Sequence, residues 1–290
     1  SSAASDVYKR QPYPEGHVLH VLSVDEEIDM YKNVSVEEIR DLHDKFIGSQ
    51  EGEVSVVGDF DAEEVKGLLK AEFEGWEASE PYVRVGRPPH PNVEGSLDVI
   101  ETPDKENAVF RASQQYELSD ADPEFASLEL GNFILGGGSL SSRLGNRVRQ
   151  QEGLSYGIAS YVTPRAKDNR VDFTIAAITN PGKKDRLINV IREELDLIIE
   201  KGITEQELGE AKAAYLQAAR VRRSNDAALN GELLGTMFND RTMEHYAKHE
   251  ANIEAATVET VNAAVKKYID PDNLVMAIGG DFAAVERGEK

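Results

Sequence analysis

The chain has 290 residues, of which 53 are acidic and 32 are Lys or Arg, so its formal net charge is −21. An acidic surface repels phosphate backbones, which argues against a nucleic-acid partner, although the charge by itself indicates only solubility. The 40% apolar content suffices for one or two domains with cores, and no stretch is long and apolar enough to span a bilayer. The absence of cysteine excludes disulfides, thiolate metal ligands and a cysteine nucleophile. It does not fix the compartment, for which we favour the periplasm over the cytoplasm.

The first part of the chain divides into three segments. Residues 1–11 (SSAASDVYKRQ) have no apolar core and no cleavage site, so they do not resemble a signal peptide, and we interpret them as a probable non-native leader. Residues 12–80 are expected to hold a helix capped by Ser35, a short strand at 54–57 and a helix capped by Asp61. Residues 81–95 are polar and rich in proline, which is typical of a linker.

Residues 96–285 are expected to form one complete domain of paired strands followed by runs of helices. This order predicts an α+β fold, with helices packed on one face of a largely antiparallel sheet. A proline at the first helical position and a Thr204/Glu207 capping box mark two helix starts. The predicted elements are, in order, strands at 97–101 and 108–118, a helix from Pro123, strands at 155–162 and 171–179, an amphipathic helix at 183–201, further helices to about 269, and a strand at 274–278.

An internal repeat relates the two parts. Residues 35–60 align without a gap to residues 257–282, a constant offset of 222 positions (257 minus 35). Both segments carry a cap, a helix, an apolar run and a Gly-Asp-Phe sequence, at 58–60 and 280–282. A period this long indicates a tandem-duplicated domain rather than a solenoid, and only one of the two copies is complete in this chain.

The stretch from Ile134 to Gly157, ILGGGSLSSRLGNRVRQQEGLSYG, carries the most information about function. Together with the KGITEQEL sequence at 201–208, it resembles the non-catalytic domain of the insulinase and mitochondrial-processing-peptidase superfamily. Residues 58–60 and 73–76 resemble the end of the domain that precedes it in that family. The resemblance spans residues 24 to 283.

The resemblance implies a zinc peptidase in which the metal is held by a His-x-x-Glu-His motif on another domain. None of the six histidines of this chain begins that motif. His245 and His249 lie one helical turn apart, but no third ligand is evident, so we interpret them as residues of a surface helix rather than a metal site. The expected cofactor is therefore zinc in the complete enzyme, held by the other half, with none in this chain.

In this family the half without zinc carries an Arg and a Tyr seven residues apart, and Arg149 and Tyr156 match that spacing and context. The resemblance implies that both contact the peptide at the point of cleavage, as a forked donor and a hydroxyl donor. The alternatives are a solvated helix arginine and a tyrosine packed in a strand. Gly136, Gly137, Gly138 and Ser139 are expected to contact the substrate backbone, and the glycines also suit the end of a helix.

Three functions are compatible with these features. The first is the substrate-binding, C-terminal portion of a zinc metalloendopeptidase, which would be inactive alone and would need a zinc-bearing half, fused upstream or separate, and a peptide substrate. The second is a non-catalytic scaffold or core subunit of a larger complex. A third possibility is peptide binding by residues 12–80, whose strand edges would be open.

Overall fold

The computed structural model describes residues 12–138 and 141–288. The proposed leader at 1–11 and Ser139 lie outside the described residues. The chain divides into two compact units. We call residues 87–219 with 244–288 the sheet unit, and residues 12–86 with 220–243 the helical unit.

The sheet unit contains one mixed sheet of five strands. The strands are β1 (Ser96–Glu101), β2 (Ala108–Glu117), β3 (Ser155–Arg165), β4 (Arg170–Thr179) and β5 (Val275–Gly280). Their order across the sheet is β1-β5-β2-β4-β3, and only the β1–β5 pair is parallel. The prediction of a largely antiparallel sheet is therefore confirmed.

Helices cover one face of this sheet, as predicted. Alternate residues of β2 and β4 are buried, which places Phe110 and Phe173 on the covered face and Val109 and Ile178 on the exposed face. The helices of the sheet unit are α4 (Pro123–Asn132), α5 (Lys184–Lys201), most of α6 (Glu205–Arg223), α8 (Glu244–Ala255), α9 (Val258–Tyr268) and α10 (Phe282–Glu286). The buried stripe of α5 includes Leu187, Ile191 and Leu195, and Gly202 follows the helix at a φ of 71°.

Two wide helical segments follow α4 on the path to β3. The first is Phe133–Gly137 and the second is Gly145–Gln151. In the second, the Glu152 N–H donates to Arg147 O at 3.1 Å, five residues back, which is the hydrogen-bond spacing of a π-helix. Such segments are rare and occur frequently at functional sites.

The helical unit contains helices and no strand among its described residues. Its helices are α1 (Val24–Asn33), α2 (Val36–Phe46), α3 (Ala62–Phe73) and α7 (Asp226–Phe238), and it also includes the last residues of α6. Ser35 and Asp61 cap α2 and α3 as predicted. The predicted strand at 54–57 is wrong, because those residues form neither helix nor strand. A strand is stabilised by hydrogen bonds to a neighbour, and the repeat-equivalent β5 has β1 and β2 on its two sides.

Residues 81–95 contain neither helix nor strand. The Arg87 N–H donates to Asp168 Oδ1 at 2.9 Å, and the His90 N–H donates to Gln115 Oε1 at 3.0 Å. The second half of this segment is thus attached to the sheet unit by its backbone. Among the described residues, no helix has the length and apolar character that a membrane crossing requires.

Candidate functional site

Tyr156 is displaced from the regular ladder at the start of an edge strand. Ser155 pairs with Thr179 and Gly157 pairs with Ile178, so Tyr156 is the extra residue of a β-bulge. The Ser155 hydroxyl supports the bulge, because it lies 2.6 Å from Ile178 O and accepts the Gly157 N–H at 3.1 Å. Tyr156 is 86% exposed. Packing inside the strand, the alternative for Tyr156, does not occur.

Arg149 lies near the end of the second π-helical segment and points to the same place. Its guanidinium carbon is 5.1 Å from the centroid of the Tyr156 ring, within the range of a cation–π contact. The Leu154 N–H donates to Val148 O at 2.8 Å and closes the turn between the two residues. The structure therefore brings together the guanidinium and the phenol that lie seven positions apart in the sequence.

The other arginine of this segment, Arg147, is held in ion pairs. Arg147 contacts Glu152 at 3.0 Å and Glu193 at 3.1 Å, and Arg186 bridges the same two carboxylates. The Arg186 hydrogen bond lowers the pKa of Glu152 below its usual value. These contacts join the end of the π-helical segment to α5. Sequence analysis did not identify Glu152 or Arg186, because pairing across 34 residues leaves no signal in a single sequence.

Arg143 fixes the beginning of the same segment. Its guanidinium donates to both carboxylate oxygens of Glu207, at 2.8 and 2.9 Å, and to Gly202 O at 2.9 Å. Glu207 also accepts the Thr204 N–H at 2.8 Å, so the predicted capping box serves as an anchor for Arg143. Burial raises the pKa of Glu207, but the hydrogen bonds from Arg143 and Thr204 outweigh it and leave the pKa lowered. Arg149 is thus distinguished from Arg143 and Arg147, both of which are paired to acids.

The three glycines are required by close packing inside the domain. A Cβ at Gly136 would lie 2.4 Å from Ser160 Oγ, and one at Gly138 would lie 2.7 Å from Phe133 O. At Gly137 a Cβ would lie 2.8 Å from Asn132 Nδ2. Gly138 ends the helix with a φ of −78°, so crowding rather than a left-handed backbone excludes a side chain there. Gly136 is buried against β3, whereas Gly137 is exposed.

A cavity of about 520 Å³ lies beside Tyr156. Its walls are formed by the beginning of β3, the end of β4 and the turns next to them. Lys183 is the only charged residue among the described residues that line it, and its ammonium donates to Gly153 O at 2.8 Å. The lining residues are Asn107, Gly153, Leu154, Ser155, Tyr156, Gly157, Ile178, Thr179, Asn180 and Lys183.

His245 and His249 lie on α8, of whose residues only Ile253 is fully buried, and both histidine side chains pack partly against neighbouring acids. Their side chains are 20% and 11% exposed, and each contacts an acidic side chain near the ends of α4. His249 Nε2 lies 2.7 Å from Glu129 Oε2, and His245 Nε2 lies 3.6 Å from Asp120 Oδ2. Within 12–138 and 141–288, no group of three or more His, Asp or Glu side chains is arranged to hold a metal ion. The described residues therefore do not fit a zinc site.

Comparison with known proteins identifies the family. The family described as "Peptidase M16 inactive domain" matches residues 33–215, which is well over half of the chain. The chain belongs to this family. Its members include the non-catalytic part of zinc-protease-like proteins, and the resemblance inferred from residues 134–157 and 201–208 is confirmed.

Three similar proteins illustrate the family. The probable zinc protease PqqL of Escherichia coli is 26% identical over 133 residues, 45% of this chain and 14% of that protein. The non-peptidase homolog YmxG of Helicobacter pylori is 25% identical over 183 residues, 60% of this chain and 40% of that protein. A solved M16 inactive domain from Pseudomonas fluorescens superposes with a TM-score of 0.75 at 24% identity, over 96% of this chain and 64% of that one. The chain thus spans less than half the length of these two curated relatives.

Proposed function

We propose that this M16 inactive-domain chain is the substrate-holding part of a zinc metalloendopeptidase. In this proposal the zinc is held by a separate peptidase half, either upstream in the same polypeptide or on another subunit. The observation that carries the proposal is the convergence of Arg149 and Tyr156 on one exposed point. The proposal also places the enzyme in the periplasm, because the solved structure of PqqL is described as a periplasmic protease.

Arg149 and Tyr156 offer two different kinds of hydrogen-bond donor to a peptide. The Arg149 guanidinium has several N–H groups in a planar fork, which suits backbone carbonyls of an extended peptide. The Tyr156 hydroxyl offers one neutral donor for a carbonyl on which negative charge develops. Because Arg149 has no ion pair or hydrogen bond to any residue in the described part of the chain, its donors are available to a peptide.

The bulge and the ion pairs hold these donors before substrate binds. The Ser155 hydroxyl supports the bulge, and Arg147 with Arg186 attaches the Arg149 segment to α5 through Glu152. Preorganised donors cost little reorganisation when charge develops on the substrate. In this proposal Gly137 and Ser139 contact the peptide, while Gly136 and Gly138 act through the packing that shapes the wall.

The test combines this chain with the zinc-bearing half of the same enzyme and measures cleavage of an unstructured peptide. We expect zinc-dependent cleavage, reduced about 100-fold by Tyr156→Phe or Arg149→Gln, since loss of one such donor costs on the order of 3 kcal/mol. Tyr161→Phe and Arg111→Gln are matched controls on exposed parts of β3 and β2 and should leave the rate unchanged. Equal rates in all four variants would refute the role of the pair.

A scaffold role is the second candidate, and one observation favours it. YmxG, which matches 60% of this chain, is named a non-peptidase homolog. In that case the chain would assemble with its partner, but no zinc-dependent cleavage would accompany assembly. The same mixing experiment separates the two roles, with assembly measured by sedimentation velocity.

A further inference from the structure

We propose that the cavity between Tyr156 and Lys183 is a subsite for a carboxylate of the bound peptide. This inference rests on the proposed function, because it assumes that a peptide passes Arg149 and Tyr156. The ligand chemistry is an acidic side chain or a C-terminal carboxylate, with its apolar stem against the cavity wall.

Three of the side chains that line the cavity are apolar or aromatic. They are Leu154, Tyr156 and Ile178, and Ile178 is half exposed on the exposed face of the sheet. Two hydroxyls in the lining are already turned to the backbone. Thr179 Oγ1 donates to Leu154 O at 2.6 Å, and the Ser155 hydroxyl lies 2.6 Å from Ile178 O. These hydroxyls hold the cavity's shape and leave few donors for a ligand.

The donors that remain belong to three side chains. The Lys183 ammonium has three N–H groups, and one of them donates to Gly153 O, which fixes its position. Its other two N–H groups can donate to a ligand. The Asn180 carbonyl oxygen accepts the Gly182 N–H, which leaves its NH₂ group to donate. Asn107 makes no hydrogen bond through its side chain to any described residue. A cation with spare amide donors matches an anion that only accepts.

Charge supports the same ligand. Acidic residues outnumber Lys and Arg by 53 to 32, yet no Asp or Glu is among the described residues that line the cavity. An acidic peptide that approaches this chain is repelled by most of its surface. The cavity is a local exception, because Lys183 lines it and Arg149 lies 5.1 Å from the ring of Tyr156, another lining residue, so a carboxylate gains most there.

The test measures binding of labelled, unstructured peptides to the full chain by fluorescence anisotropy. The first set has an amidated C-terminus and a single Glu, moved one position at a time along an otherwise uncharged sequence, with the all-Gln peptide as reference. The second set is the all-Gln peptide with a free C-terminal carboxylate. We expect one Glu position, or the free carboxylate, to bind about fivefold tighter than the reference, the size of a partly exposed ion pair. The two sets distinguish a side chain from a chain terminus as the source.

Variants of the full chain then test whether Lys183 causes the tighter binding of the carboxylate-bearing peptide. Lys183→Gln should abolish it and Lys183→Arg should keep it, whereas Lys184→Gln, which removes the same charge one residue along, should also keep it. Circular dichroism checks that each variant is folded. Equal binding of every peptide, no binding at all, or loss of the preference in Lys184→Gln would overturn the subsite. Failure of the proposed function has a different signature, because Arg149→Gln and Tyr156→Phe would then leave the binding of all peptides unchanged.

Discussion

Residues Val56 and Ile278 occupy the same position of the internal repeat, and truncating each to alanine should have very different effects. Ile278 is 0% exposed at the centre of the sheet, where it pairs with Val99 and Phe110. Val56 is 45% exposed and lies outside any strand. The sequence similarity of the two segments therefore does not extend to their packing.

The magnitudes follow from burial. Ile278→Ala removes three buried carbons, worth about 0.8 kcal/mol each, and leaves a cavity, so we expect a loss of about 2–5 kcal/mol in unfolding free energy. Val56→Ala removes two carbons that are only partly shielded, so we expect a loss of at most about 1 kcal/mol.

The assay must resolve the two units separately, because unfolding of two units need not be two-state. Trp76, the only tryptophan, reports on the helical unit by its fluorescence. Hydrogen exchange of β2 and β4 peptides, measured by mass spectrometry, reports on the sheet unit. A loss of stability for Val56→Ala as large as that for Ile278→Ala would show that residues 53–58 are packed like β5 and would refute the reasoning.

Three further predictions concern the framework of the site. Gly136→Ala should destabilise the sheet unit by about 1–3 kcal/mol, because its Cβ would meet Ser160. Gly209→Ala in α6, where a Cβ meets nothing within 4 Å, should stabilise the same unit by up to about 1 kcal/mol. Both changes are measured by hydrogen exchange of β2 and β4 peptides in urea. Ser155→Ala should lower the free energy of unfolding by about 1–2 kcal/mol and shift the Tyr156 ring resonances in NMR spectra, because the Ser155 hydroxyl supports the bulge. Unchanged resonances would contradict this role of the hydroxyl. Glu207→Gln should lower the free energy of unfolding by about 1–2 kcal/mol at pH 7 and by less at acidic pH. The folded-state pKa of Glu207 is lowered, so its contribution is present above the unfolded-state pKa and is lost as the pH falls through the folded-state value. A cost that does not change with pH would exclude this origin.

Local sequence determined much of the fold, and the family resemblance of one short stretch determined the choice of candidate site residues. The boundaries of α2, α5 and α9 follow from caps and from apolar residues at helical spacing, both of which act within a few residues of the chain. The period-2 pattern of β4 and the proline before α4 are signals of the same local kind. The spacing of Arg149 and Tyr156 was also available from the sequence, because it is measured along one short stretch.

Only the tertiary structure decided what surrounds these elements. The apolar run at 54–57 and β5 have similar sequences, but strand formation depends on hydrogen-bonding neighbours, and only β5 has them among the described residues. His249 contacts Glu129, 120 positions away, and Glu152 forms an ion pair with Arg186. The exposure of Tyr156 depends on a bulge defined by pairing with β4. Each of these outcomes is set by contacts between residues distant in the chain, which neither periodicity nor spacing within a single segment encodes.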